Sequence, residues 1–549
     1  VAALHQSLRF FVDSAPVILL APVFYWLAGL LLARAAGKLE WATLWGIGLM
    51  GLVGEVAGIA GIPARAATMA VAACAIAGAV FSIMSGGRRN HAVDWAGEIR
   101  PNLESYLISL LAVSVVPFAI PGPWGGDWLY ALDSGRYIAD GRSFYPELLA
   151  RPPLFGAASI PVCLFGGPLA SFQVFCAVAS AGLLQVARTL VPAAGRSRQL
   201  WLLGGSVFFL HITVNAWPKF LAASFIIAAW VSGGEPGRRK VWITGTLTGL
   251  SLATHQSSAL FVPFVLARIL GGSPTLGKFT WKAAQVLAVA AIVCAPWEIY
   301  TLLTYGLAAK VQANPSVSQR IAGVPTWLNG ILVGVSTFVP WGPLEALRHS
   351  AAVESPFSPA RIQREIYWLV TSIFDSLAGS LAGILVPWLV VFRFRQLRAG
   401  ILELWDAIPV AGRFALAISL VGQCLLNPFY GEDGSLQTGW VPVGVGLVLW
   451  LMNWVSRQPQ NKQSSVVQST LVLGLIPWVI FHVALTAGLF FSARLKEQIT
   501  VSEGDLQRIA KFGLTPLGLG GFPWVQLLVL IGLFALYGNP WPNPKTTSC

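Results

Sequence analysis

PGPWGGDWLYALDSGRYIADGRSFYPELLARPPLFG, residues Pro121 to Gly156, is the stretch on which the fold assignment turns. It gathers four carboxylates, Asp127, Asp133, Asp140 and Glu147, and three guanidinium groups, Arg136, Arg142 and Arg151, in a chain of which only 11% of residues are charged. Apolar sequence bounds it on both sides. A connection that merely joins two helices is usually short, and long structured connections tend to carry function.

Outward from that stretch the chain is dominated by hydrocarbon. Of 549 residues 55% are hydrophobic, with a mean hydropathy of +0.68, whereas a soluble domain carries about 25% charged residues. Apolar runs of roughly 15 to 23 residues recur from Ala15 almost to the last residues, each near the ~20 that cross a bilayer. The expectation is an all-α polytopic membrane protein with about 14–15 transmembrane helices. Residues 157–188 read as one long span. PTWLNGILVGVSTFVPW, from Pro325 to Trp341, reads as an interfacial helix instead, because its tryptophans suit the headgroup level.

The net charge of +13 is explained by placement. Basic residues cluster in short connections: Arg34 with Lys38, Arg88 with Arg89, Arg196 with Arg198, Arg238 to Lys240, Lys278 with Lys282, Arg393 to Arg398, and Arg457 with Lys462. Putting all of these on the cytoplasmic face satisfies the positive-inside rule with one topology, so the charge calls for no nucleic acid. Connections 121–156, 304–375, 428–437 and 491–519 then lie outside. Three regions follow: extra N-terminal helices with a cytoplasmic connector over 1–100, a core over 101–455, and C-terminal helices over 456–549. The first span reads as a retained helix, without the layout of a cleaved signal peptide. Of the six cysteines, Cys74, Cys163, Cys176, Cys294 and Cys424 fall in or beside apolar runs without close pairs and read as small buried hydrophobes.

Within the opening stretch Asp127 follows two glycines directly after a span, so its carboxylate is expected at the membrane boundary on a backbone that can turn sharply. Residues 129–139 have the spacing of an interfacial amphipathic helix. Arg151-Pro152-Pro153 holds an extended backbone that is expected to return a guanidinium to the bilayer surface. A base and a cation at a lipid surface suit group transfer from a lipid phosphate: the tail stays in the bilayer, the anionic leaving group needs a cation, and an incoming hydroxyl needs a base. Asp127 is the candidate base and Arg151 the candidate phosphate clamp. Plainer roles exist for both, as a helix N-cap and as a contact for lipid headgroups.

Further candidates lie at outer helix ends. Lys219, in Asn215-Ala216-Trp217-Pro218-Lys219, could meet the phosphate, and His255, in Ala253-Thr254-His255-Gln256, could line the cavity; long basic side chains also snorkel there without function. Glu298 and Arg320 are candidates on the acceptor side. Glu432 and Asp433 could hold a divalent metal together with Asp127, or be solvated turn residues. No metal-ligand spacing is otherwise present.

Asp127 after the first core span, then Gly135-Arg136-Tyr137-Ile138-Ala139-Asp140-Gly141-Arg142, then Arg151-Pro152-Pro153-Leu154, resembles the GT-C superfamily of membrane glycosyltransferases, in particular its protein O-mannosyltransferase and aminoarabinose-transferase branch. The resemblance covers residues 103 to 455 in organisation and is specific in the first loop. It implies a GT-C-like bundle with interfacial helices in the outer loops. It also implies inverting transfer of a sugar from a polyprenyl-phosphate donor to a lipid, glycan or protein acceptor, on the outward face of a bacterial inner (plasma) membrane. By the same resemblance Asp127 matches the catalytic acidic residue, Tyr137 the tyrosine of the interfacial helix with Arg136 beside it, and Arg151 the basic residue of the Pro-Pro segment. One departure is that Trp128 follows Asp127 where the mannosyltransferase branch commonly has a second acidic residue. A lipid-linked oligosaccharide polymerase or ligase stays open as an alternative, although its active loop is expected late in the chain. So does a lipid or solute transporter, which would place its charges near the bilayer midplane, and so does a non-catalytic membrane subunit.

Overall fold

The computed structural model describes residues 2–86, 95–115, 152–166, 168–191, 209, 213, 218–235, 237–273, 275–313, 325–338, 381, 385–386, 388–426, 441–470 and 473. All regular structure among the described residues is helical. A backbone in hydrocarbon has no water to bond, so an apolar run satisfies its amides and carbonyls within its own helix. The N-terminal region forms α1 (Ala2–Ala36), α2 (Ala42–Ile59), α3 (Ala64–Gly86) and α4 (Trp95–Val115). After the charged stretch come α5 (Leu154–Gly166), α6 (Pro168–Leu190), α7 (Pro218–Gly233), α8 (Arg238–Thr254), α9 (Val262–Gly271) and α10 (Leu276–Ala313). The rest are α11 (Thr326–Phe338), α12 (Arg393–Ala407), α13 (Val410–Leu426), α14 (Val441–Ser456) and α15 (Gln460–Thr470).

Among the described residues four segments are long and apolar enough to cross a membrane, Ala15–Ala36, Leu39–Ile59, Ala64–Phe81 and Leu276–Ala313, beside several shorter apolar helices. The chain is an all-α, multi-pass membrane protein.

Helices α1 and α2 form an antiparallel pair at backbone contact. A Cβ on Gly46 would stand 1.8 Å from the Tyr25 carbonyl oxygen, and one on Gly29 1.8 Å from that of Ala42. With no water to expel between helices in lipid, such close approach through small residues is what holds them together. The pair shares one core with α5, α6, α7 and α14, in which Tyr25, Trp41, Phe155 and Phe175 are fully enclosed.

Two stretches differ from expectation. Residues 157–188 are not one span: α5 and α6 lie against each other, with the Phe155 ring 5.5 Å from Phe172 and 5.2 Å from Phe175. Gly166-Gly167-Pro168 explains the break, since glycine ends helices readily and proline favours a helix's first position. A continuous apolar run carries no periodicity that separates one long helix from two shorter ones. The basic cluster Arg393 to Arg398, expected as a plain connector, begins helix α12, which meets α13 at 105°. Its exposed Phe394 and Trp405 give it the two-faced surface of a helix lying along an interface. The stretch expected to be interfacial, 325–341, does contain a helix, α11, seated on the end of α13: a Cβ on Gly330 would meet Leu425 Cδ2 at 2.8 Å.

Candidate functional site

One end of the bundle gathers polar groups from four helices. Ser251 of α8 donates to the Ala222 carbonyl of α7 at 2.7 Å and bonds Ser258 Oγ at 2.8 Å. These bonds hold the start of α7, with Lys219, beside the end of α8, with His255. Helix α10 packs along α8 in register, Gly245 against Val289 and Gly249 against Val293, and Cys294 Sγ reaches the Gly249 carbonyl at 3.4 Å. One turn further along α10 stands Glu298. Three sequence candidates, Lys219, His255 and Glu298, therefore share one end of the fold.

Each is held differently. Lys219 is buried, with 7% of its surface exposed, in the first turn of α7. A cation there runs against the helix dipole, whose positive end is the N-terminus. His255 is half-buried and extended (φ −157°, ψ 125°) and caps the 3-10 turn Gln256–Phe261: its Nδ1 accepts from the Ser257 amide at 3.2 Å and lies 2.7 Å from Ser257 Oγ. Glu298 is exposed and pairs with Lys310, which also donates to Thr301 Oγ1 at 2.9 Å. The pair spans the bend that Gly306, at φ 79°, makes in α10.

A fourth group was not singled out from sequence. Glu55, near the end of α2, is 0% exposed, and neither carboxylate oxygen has a hydrogen-bond partner among the described residues. The groups that act on it from α10 are the Trp297 backbone amide and the Glu298 carboxylate. Its signal is visible in TLWGIGLMGLVGEVAGIAG (43–61), where it is the lone charge of an apolar run. An ionisable residue inside a membrane helix marks a functional site by default.

The Pro-Pro segment enters this region below the helix ends. Pro152 and Pro153 are buried, and α5 begins against the middle of α2: a Cβ on Gly51 would meet Leu154 Cγ at 2.6 Å, and one on Gly54 the Ala157 carbonyl at 3.0 Å. Gly51 lies eight residues before the end of α2, roughly 12 Å at 1.5 Å per residue. The segment thus joins α5 within the bundle, against the middle of α2.

Asp127, Arg136, Tyr137, Arg151 and Arg320 lie outside the described residues, as do Glu432 and Asp433. Among the described residues no three His, Cys, Asp or Glu side chains gather as a metal site.

No protein-family model and no curated protein matches the chain. A solved structure that is similar to it is the crystal structure of ArnT from Cupriavidus metallidurans bound to undecaprenyl phosphate. The identity is 13%, the match covers 81% of this chain and 77% of that one, and the TM-score is 0.44.

Proposed function

We propose that the chain is a glycosyltransferase that moves a sugar from a polyprenyl-phosphate donor to an acceptor hydroxyl at the outward face of the membrane. The observation that carries this is the loop from Asp127 to Arg151-Pro152-Pro153, which concentrates a base and cations between apolar spans and resembles the first outer loop of GT-C enzymes. In the proposed reaction Asp127 takes the acceptor proton, the acceptor oxygen bonds to the anomeric carbon, and the bond from that carbon to the phosphate oxygen breaks. The electron pair leaves on the phosphate, whose charge Arg151 and Lys219 meet.

Lys219 supports this role as a buried cation in the first turn of α7, at the end of the bundle it shares with His255 and Glu298. The buried Pro152 and Pro153 support it too, because they tie the residue after Arg151 into the helical core. Tyr137, Arg136, His255, Glu298 and Arg320 are proposed to line the sugar and acceptor side.

The decisive experiment is Asp127→Asn in the purified full chain, assayed with a polyprenyl-phosphate sugar. Loss of a general base is expected to cost about 10²- to 10⁴-fold in rate with an unchanged thermal midpoint. Full activity in a folded Asp127→Asn variant overturns the mechanism. Arg151→Ala is expected to act chiefly on donor KM.

A further inference from the structure

At the other end of the bundle, the turn joining α7 to α8 and the turn joining α9 to α10 enclose a cavity of about 80 Å³. Gly233, Gly234, Glu235 and Lys240 line it from the first turn, and Gly272 and Lys282 from the second. Glu235, the carboxylate in that wall, is already engaged, by Lys240 at 2.6 Å and Lys38 at 3.2 Å. Two further cations are left over. Lys282 Nζ makes a long 3.4 Å contact with Ser273 Oγ. Arg268 stands directly behind Gly234, where an added Cβ would lie 2.4 Å from its Nε. Its guanidinium is stacked 4.8 Å over the Trp230 ring, and its Nε is buried with no hydrogen-bond partner among the described residues.

A partly enclosed space with surplus positive charge, floored by glycine backbone, has the chemistry of a phosphate site. Its depth identifies the kind of phosphate. Trp242 and Trp281 flank the cavity lysines in sequence and are 56% and 66% exposed, and outward-facing tryptophans mark the headgroup level. Leu276, which opens α10, is exposed as well. The basic turns assign this end to the cytoplasmic leaflet.

The geometry points to a binding site for the phosphate of an anionic phospholipid of that leaflet, held by Lys282 and Lys240 with the Arg268 charge behind the Gly234 wall, and with the acyl chains along the exposed face of α10. It lies at the opposite end from Lys219, His255 and Glu55 and is independent of the transferase proposal.

The test uses the full chain in detergent, with phosphatidylglycerol, phosphate-free diacylglycerol and inorganic phosphate as probes. Native mass spectrometry reads retained lipid, and a melting curve reads stabilisation. Phosphatidylglycerol is expected to be retained over diacylglycerol and to raise the thermal midpoint. Lys282→Gln is expected to weaken its retention roughly fivefold, as loss of one basic contact near the surface does. Lys278→Gln, which alters an exposed lysine outside the cavity wall, is expected to leave retention unchanged. Inorganic phosphate that displaces the lipid at equal concentration overturns the lipid assignment in favour of a free anion. Equal retention of the two lipids overturns the site itself, and that arm needs only the unmodified chain should Lys282→Gln fail to fold.

Discussion

At the basic end of the bundle Lys240 pairs with Glu235 at 2.6 Å and donates to the last carbonyl of α1, that of Ala36, at 2.8 Å. At the other end Glu55 lies wholly enclosed with both oxygens unbonded among the described residues. Both charges are supplied by short stretches of otherwise ordinary membrane sequence. The difference lies in what surrounds them. Lys240 closes a cluster that ties the α1–α2 turn to the α7–α8 turn, with Gly37 at φ 70° making the turn that presents the Ala36 carbonyl. Glu55 faces the Trp297 amide and the like charge of Glu298 on α10, with no hydrogen bond to either oxygen among the described residues, and burying a carboxyl so weakly partnered is costly. Charge ties the scaffold together at one end, whereas at the other, where the site candidates collect, one carboxyl is buried without a hydrogen bond among the described residues.

The contrast breaks most visibly at Lys240. Lys240→Met removes a charge-assisted hydrogen bond to a helix C-terminus and leaves Glu235 with Lys38 alone. It is expected to lower stability by about 2–3 kcal/mol, read as a lower thermal midpoint in lipid-free detergent. An unchanged midpoint would mean that the cluster is ornamental and the two ends equivalent.

Glu55→Leu probes the opposite case. Replacing an unsatisfied buried carboxyl with an apolar side chain of similar size is expected to raise stability by about 1–2 kcal/mol. A fall in the thermal midpoint would reveal a partner and place Glu55 with the scaffold.

What could be seen in advance follows the same division. Helix α7, Pro218–Gly233, has its bounds written in the sequence, Trp217-Pro218 before it and Gly233-Gly234 after it, local signals that need no tertiary context. The hairpin of α5 and α6 was hidden, because an unbroken apolar run offers no period and the deciding contact, Phe155 on Phe172 and Phe175, is tertiary. Lys219, His255 and Glu298 could be named one at a time as polar residues near helix ends. Their gathering depends on the Ser251–Ala222 bond and on glycine-mediated register between α8 and α10, neither of which a single sequence displays. Glu55 is legible in the sequence as a lone carboxylate in an apolar run. Asp127 and Arg151, the centre of the functional proposal, rest on sequence alone.

The finest discrimination between the two ends comes from pH. Burial tends to raise the Glu235 carboxyl, but hydrogen bonds and charge from Lys240 and Lys38 outweigh it and hold the group below the usual carboxylate range. Its folded pKa is therefore below its unfolded one. The stability it contributes is present above the ordinary Glu value of about 4.3 and is lost as pH falls through the lower folded value. Glu235→Gln is accordingly expected to flatten the decline of the thermal midpoint in that acidic window while changing it little near neutrality. Its cluster is partly open to solvent, with side-chain exposures of 19–30%, so the effect is expected to be smaller than that of Lys240→Met. A slope equal to that of the unmodified chain would show that the carboxylate is carried by the cluster and does not help to hold it.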